Sequence, residues 1–228
     1  MTDTELAGVL ADRLAIVTDR MAAACARVGR PQGDVTLVAV TKTVPLRVIR
    51  ALFDLGVRDF GENRPQQFWF RQAAIPEARW HFIGHLQRNK LDRTVPLAHL
   101  IHSVDSDRLL TALHDFGVKR GSPVPVLLEF NCSRESAKGG FPVESAGQTI
   151  DRAKSLPGVR LDGLMTMAAY HDDPELCRPA FRELNGLAAG LPVRSMGMSN
   201  DFEVAIEEGA THVRIGTTLF GGLEAVAE

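Results

Sequence analysis

Cysteine is scarce in this chain and scattered. Cys25, Cys132 and Cys177 are an odd number without any C-x-x-C spacing, so neither a disulfide framework nor a zinc site is suggested, and a reducing cytoplasm fits. Long apolar runs are missing as well. No stretch approaches the roughly 20 apolar residues of a membrane span. The start Met1-Thr2-Asp3-Thr4-Glu5 is acidic, unlike a secretory leader. Basic runs are absent too: with 26 Lys and Arg against 28 Asp and Glu the net charge is −2, and no Lys/Arg stripe interleaved with aromatics offers a footprint for nucleic acid. The partner is therefore expected to be a small molecule, not nucleic acid or a membrane. Low-complexity stretches and linkers are lacking, and residues 1–228 read as a single domain.

What remains is an ordinary globular composition, 45% hydrophobic and 24% charged, arranged with a regular rhythm. Leu6, Leu10, Leu14, Val17 and Met21 recur at helical spacing, and Thr2 with Glu5 is spaced like a capping box. An amphipathic helix is predicted over 4–28, within an N-terminal segment 1–30 closed by Gly29 and Pro31. Eight short apolar runs follow: Val35–Val40, Arg58–Gly61, Trp80–Ile83, Leu100–Val104, Val124–Phe130, Leu161–Met165, Val193–Met196 and His212–Ile215. Helical patterns separate most of them, for example Leu46, Ile49, Leu52 and Phe53 between Pro45 and Gly56. Five glycines, Gly56, Gly117, Gly158, Gly190 and Gly209, read as left-handed helix stops. Alternation of strand and helix implies a parallel sheet, and eight strands favour closure: a single (β/α)8 TIM barrel with an extra N-terminal helix. Val40-Thr41-Lys42-Thr43 stands where a Rossmann G-x-G-x-x-G would be, which removes support for a dinucleotide site.

In such a barrel the reactive residues follow the strands. Lys42 follows the first run and shares parity with Val38 and Val40, so an extended strand would carry its amine on the side of those apolar residues. A lone lysine there is ordinarily just solvated; desolvated, it is an amine able to attack an aldehyde. After the seventh run, Asn200 and Glu203 are spaced to cap a helix running to Gly209. After the eighth, Arg214-Ile215-Gly216-Thr217-Thr218 offers bare backbone and hydroxyls. Either loop alone reads as a turn, but together they stand where barrels bind phosphate, across the seam from Lys42. Lysine plus phosphate suggests a phosphorylated aldehyde.

At this point the chain resembles a family, the proteins of pyridoxal 5'-phosphate (PLP) homeostasis, related to the N-terminal barrel of alanine racemase. The resemblance runs from Val35 to Gly221, through Ala39–Lys42, Gly61-Glu62-Asn63, His81–Lys90, Ser103-Val104-Asp105, Lys138–Phe141, Gly163-Leu164-Met165, Met196–Asp201 and Arg214–Thr217. It implies that Lys42 carries PLP as a Schiff base, that Ser199, Gly216 and Thr217 hold the phosphate, and that Asn63 and Arg214 face the ring. Arg64-Pro65 stands where relatives often carry an aromatic after the Gly-Glu-Asn triplet. A permanent cation at Arg214 would disfavour a proton on the ring nitrogen, which suits storage of PLP better than carbanion chemistry. An alternative reading of Arg214 is an ion pair with a carboxylate on the barrel floor.

Three functions remain open on this reading. The first is a cytoplasmic PLP carrier without catalytic residues of its own, exchanging PLP with PLP-accepting apo-enzymes or meeting amino acids. The second is an amino-acid racemase, in which the opposite-face tyrosine comes from a second domain; the chain stops at Glu228, and its sole tyrosine, Tyr170, does not match that position. The third is an aldolase-like lyase with Lys42 reacting directly with a sugar phosphate. His81 and His85 have metal-like spacing but straddle a strand end, so packing is expected instead of metal binding. Arg88, Lys90 and Lys138 are candidate rim cations, and Met165, Met167, Met196 and Met198 read as core filling.

Overall fold

The computed structural model describes residues 1–42, 44–135 and 138–223. Thr43, within the Val40–Thr43 run, and residues 224–228, at the end of the expected domain, lie outside the described residues. Eight strands, β1 (Thr36–Val40), β2 (Asp59–Glu62), β3 (Arg79–Phe82), β4 (Leu100–Val104), β5 (Val124–Glu129), β6 (Val159–Met165), β7 (Val193–Met198) and β8 (His212–Ile215), pair in parallel and close in order into a barrel. The first strand meets the last with Val38 opposite Arg214 and Ala39 opposite Ile215. Each apolar run became a strand within two residues of the predicted limits.

Helices surround the barrel: α1 (Asp3–Arg27), α2 (Leu46–Asp54), α3 (Pro65–Ala74), α4 (Leu91–Thr94), α5 (Asp107–Arg120), α6 (Ala146–Ser155), α7 (Arg178–Leu187), α8 (Phe202–Glu207) and α9 (Thr217–Phe220). Helix α1 starts with the expected capping box, Thr2 N donating to Glu5 Oε2 at 2.7 Å and Glu5 N to Thr2 Oγ1 at 3.2 Å. Its face of Leu6, Leu10, Val17 and Met21 joins the core shared by helices and strands. Arg30 then ties the following turn to the carbonyls of Ile206 and Ala210 at 2.7 and 2.9 Å, so the N-terminal segment packs over the β7–β8 side of the barrel.

Three of the five glycines end helices as expected, with φ of +101° at Gly56, +78° at Gly190 and +98° at Gly209. The other two do not. Gly117 lies inside α5, which ends at Gly121 (φ +73°). Gly117 and Gly158 instead allow a close approach: a Cβ on Gly117 would stand 1.8 Å from Gly158 O, and one on Gly158 2.0 Å from His114 O. A glycine that permits contact and a glycine that permits positive φ look identical in sequence.

Successive strand residues divide between two interiors. Ala39, Phe60, Trp80, Phe82, Ile101, Val126, Leu128, Leu164, Met196 and Val213 pack outward against the helices. Residues of the other parity enclose the barrel axis, where, among the described residues, Leu100, Leu127 and Met165 form a small apolar cluster with Met167 and Val193 against it. Much of the remaining lumen is polar, with Asp59, His81, His102, Ser195 and Arg214 all buried. The apolar wall expected around Lys42 is therefore only partial: Val38 and Val40 supply it at β1, and polar groups continue it.

Candidate functional site: a cleft at the carboxyl ends of the strands

Lys42, Asn63, Ser199, Arg214, Gly216 and Thr217 come from four different strand ends, and all line one cleft of about 600 Å³, together with Val40, Ile83 and Met167. Lys42 sits in the turn just past β1, exposed on the cleft side.

The turn that presents Lys42 is braced from below. Glu62 ends β2 fully buried and pairs with Arg71 of α3, itself buried. Arg71 also donates to Thr41 Oγ1 at 3.1 Å and to the Val44 carbonyl at 2.8 Å, one residue before Lys42 and two after it. The other oxygen of Glu62 accepts from the backbone N–H groups of Asn63 and Arg64 at 2.8 and 3.1 Å. One ion pair thus fixes both the Lys42 turn and the Asn63 backbone. Arg64-Pro65 starts α3 with proline in its first turn, which suits a residue without an N–H. The pair was not foreseen, since a glutamate after a short strand and an arginine in a helix read as solvated residues.

Asn63 carries a buried side-chain oxygen, Oδ1, that has no hydrogen-bond partner within the protein. Leaving it unsatisfied costs on the order of 1–3 kcal/mol, so its position at the cleft wall marks a place for a ligand donor. Behind it, Gly84 touches the Asn63 backbone: a Cβ there would stand 2.2 Å from Asn63 O and 2.6 Å from its Cα. Gly84→Ala is expected to push Asn63 into the cleft, costing about 1–3 kcal/mol of stability and weakening ligand binding, measured by thermal unfolding and ligand titration.

Across the cleft, Ser199 Oγ is the point on which two backbone donors converge, Gly216 N at 3.3 Å and Thr218 N at 3.4 Å. Two amides gathered on one hydroxyl at a strand-to-helix junction make a concavity of donors suited to an anion. Asn200 does not cap α8. Its amide donates to the His171 carbonyl at 2.7 Å, and Asp201 precedes the helix, its carboxylate accepting from Met198 N at 2.6 Å. The loop after Gly197, with φ of +93°, is closed by bonds between Asp201 and Met198, and Asn200 stands on its exposed side.

Arg214 is the buried cation of the site. It donates to Ser195 Oγ at 2.5 Å and to the Thr166 carbonyl at 3.0 Å. The expected alternative, an ion pair on the barrel floor, is not what forms: both partners are neutral oxygens, and Glu129 and Asp201 act only through space. Burial lowers its pKa to about 10, which leaves it charged at neutral pH. A desolvated cation satisfied by neutral acceptors favours a partner of opposite polarity in the cleft.

The remaining candidates are distributed less simply. His81 is enclosed in the lumen and bonded to Asp59 and His102, whereas His85 is exposed beside Asp105, 2.8 Å away. No group of three or more His, Cys, Asp or Glu among the described residues could hold a metal. Lys138 bonds the Ala168 carbonyl at 2.8 Å and pairs with Glu135. Lys90 lies 6.0 Å from the Trp69 ring, and Arg88 is exposed. Met165 and Met196 fill core as expected, but Met167 and Met198 line the cleft. Tyr170 stands 77% exposed at the same rim.

Buried titratable groups give the fold a pH dependence of definite sign. Burial, reinforced by His81, lowers His212 to about 4 and His102 well below its ordinary value, and His99 is lowered for the same reasons. Groups whose folded pKa lies below the unfolded value bind fewer protons when folded, so stability rises with pH across the window and is lost as pH falls below 6.5. His212 alone accounts for up to about 3 kcal/mol over its shift. Glu129 runs the other way. Burial and Asp105 raise it to about 7, so its contribution, present below 4.5, is lost as pH rises through 7. Urea unfolding between pH 4 and 8 is expected to show the acid loss, made steeper by Glu129→Gln and shallower by His212→Gln.

The sequence profile of the alanine racemase N-terminal domain matches residues 16–224. A relative from Aquifex aeolicus, the pyridoxal phosphate homeostasis protein, is 42% identical over 220 residues, covering 92% of this chain and 96% of its own. This chain belongs to the pyridoxal phosphate homeostasis proteins. The Escherichia coli K12 member of that family is 36% identical over 224 residues, covering 93% of this chain and 96% of its own. Among solved structures, PipY of Synechococcus elongatus, a family relative with PLP bound, superposes with a TM-score of 0.79 at 32% identity, over 93% of this chain and all of that one. A protein of unknown function from Bifidobacterium adolescentis superposes with a TM-score of 0.88 at 36% identity, over 96% of this chain and 98% of that one. No helix of the described residues in this family member is long and apolar enough to cross a membrane.

Proposed function

We propose that this protein binds PLP as a Schiff base on Lys42 and serves cytoplasmic vitamin B6 homeostasis by holding the cofactor and releasing it to PLP-accepting apo-enzymes. Residues 1–228 act in this reading as one PLP-binding unit. The observation that carries it is the meeting, in one cleft, of an exposed amine, an orphaned amide oxygen, a buried cation satisfied by neutral oxygens and an anion concavity. Relatives at 36–42% identity carry the homeostasis name, and PipY was solved with PLP.

The residues fit that cofactor group by group. Bound PLP would supply an aldehyde for the Lys42 amine, a phosphate for the concavity of Ser199, Gly216 and Thr218 with Thr217 beside it, and a pyridine ring for Asn63 and Arg214. Arg214 only donates and stays charged, so it opposes a proton on the ring nitrogen. Such a ring is a weak electron sink, which favours retention of the cofactor over turnover.

Titration of the apo-protein with PLP is expected to generate a visible absorption band saturating at one equivalent per chain. A protein that remains colourless overturns the reading and leaves direct Schiff-base chemistry on a sugar phosphate. The loaded protein, incubated in D₂O with single-enantiomer amino acids, is expected to show no α-proton exchange at an enzyme-like rate. Rapid exchange would make it a racemase instead.

A further inference from the structure

The lumen below the cleft contains a continuous line of hydrogen bonds from one end of the barrel to the other. At the amino ends of the strands Arg79 grips Asp59 with Nε to Oδ1 at 2.7 Å and Nη2 to Oδ2 at 2.5 Å. Asp59 Oδ1 meets His81 Nε2 at 3.0 Å, His81 Nδ1 meets His102 Nε2 at 2.8 Å, and His102 Nδ1 meets Ser195 Oγ at 2.9 Å. Ser195 Oγ in turn accepts from Arg214 Nη1. His81, His102 and Ser195 are essentially inaccessible to solvent, so each polar atom must be satisfied within the line.

Only one arrangement of hydrogens satisfies all of them. Arg79 and burial act oppositely on Asp59: burial raises its pKa, but the bonds from Arg79 and His81 outweigh that and hold it well below the usual carboxylate range. An ionised carboxylate only accepts, so His81 Nε2 carries a hydrogen. His81 Nδ1 is then the acceptor, His102 Nε2 the donor, and His102 Nδ1 a bare lone pair. The Ser195 hydroxyl gives its hydrogen to that lone pair, which turns its own lone pairs toward Arg214. With the other His102 tautomer, Ser195 Oγ would receive two N–H groups and its hydroxyl hydrogen would have no partner in the line. Burial keeps His102 neutral, as the line requires.

We propose that His102 is a positioning residue for the cofactor site, with Asp59 and His81 fixing its tautomer from the opposite end of the barrel so that the Ser195 hydroxyl hydrogen turns to His102 and its lone pairs face Arg214. The consequence is directional. Arg214 commits one hydrogen of Nη1 to Ser195 and one of Nη2 to Thr166, which holds the guanidinium in one orientation at the cleft. An arginine free to rotate would cost ordering entropy each time the ligand bound. This inference rests on the reading of the cleft as a PLP site.

The test uses the PLP-loaded full chain. In the unsubstituted protein, ¹⁵N NMR of the histidine rings is expected to show His102 with Nε2 protonated and Nδ1 bare; the opposite tautomer or an imidazolium overturns the proposal. In His102→Phe, borohydride is still expected to fix pyridoxyl on Lys42, while the ¹⁵N resonance of labelled PLP's ring nitrogen shifts. PLP is also expected to dissociate about tenfold faster, the effect of losing one charge-assisted hydrogen bond. His102→Gln, which keeps the donor to His81 but lacks the acceptor geometry for Ser195, should move the same two quantities in the same direction. A folded variant with ring resonance and dissociation rate unchanged overturns the positioning role; if His102→Phe does not fold, the tautomer and His102→Gln decide. Absence of pyridoxyl on Lys42 in the unsubstituted protein overturns the PLP reading itself, an outcome distinct from a failed line with the cofactor in place.

Discussion

Lys42→Ala is expected to abolish the visible band of the PLP-loaded protein and to weaken PLP retention by at least about a hundredfold, because a covalent but reversible linkage is replaced by contacts alone. Stability should scarcely change. Lys42 is exposed in a turn, and a surface substitution away from packed features stays within roughly 0.5 kcal/mol. The two effects separate cleanly by spectrophotometric titration and urea unfolding of the same sample. Residual binding should survive, since Ser199, Gly216, Thr217 and Arg214 are untouched. A Lys42→Ala protein with an unaltered band would assign the linkage to another lysine.

Arg71→Met is expected to have the largest effect on stability. Glu62 is fully inaccessible and Arg71 nearly so, and removing one partner of such a pair strands the other charge at a cost of about 3–5 kcal/mol. The loss should reach the cleft, because Arg71 also holds Thr41 and the Val44 carbonyl on either side of Lys42. The double variant Arg71→Met with Glu62→Met distinguishes the contributions. It removes both charges and should recover much of the stability. It should not recover PLP affinity, since the Asn63 and Arg64 amides lose their acceptor. Equal recovery of both quantities would mean that the pair serves stability alone.

The barrel, and the strand ends that line the cleft, are largely legible in the sequence. The eight short apolar runs mark the strands because both faces of a parallel barrel strand are buried, and the site residues follow those runs because strand ends carry the loops. The lumen was not legible. His81 and His102 sit in runs that otherwise read as apolar, and Asp59 stands at a strand's first residue, where a charged side chain ordinarily reaches water. Parallel pairing sets Asp59, His81 and His102 on consecutive strands, and only closure of the sheet brings Ser195 of β7 and Arg214 of β8 across the axis to meet them. The Glu62–Arg71 pair escaped for another reason: a contact between a strand end and the helix after it has neither the strand's period nor the helix's. Asn200 misled because its spacing to Glu203 mimics a capping box, whereas Asp201 takes the turn.

These points converge on one amine. The cleft, the braced turn and the polar lumen all have a common meaning if Lys42 bears the cofactor. The most direct test is borohydride reduction of the PLP-loaded protein, followed by proteolysis and mass mapping. A single pyridoxyl addition on the peptide carrying Lys42, absent from Lys42→Ala, is the expected result. Pyridoxyl groups spread over surface lysines, or none despite bound PLP, would contradict it.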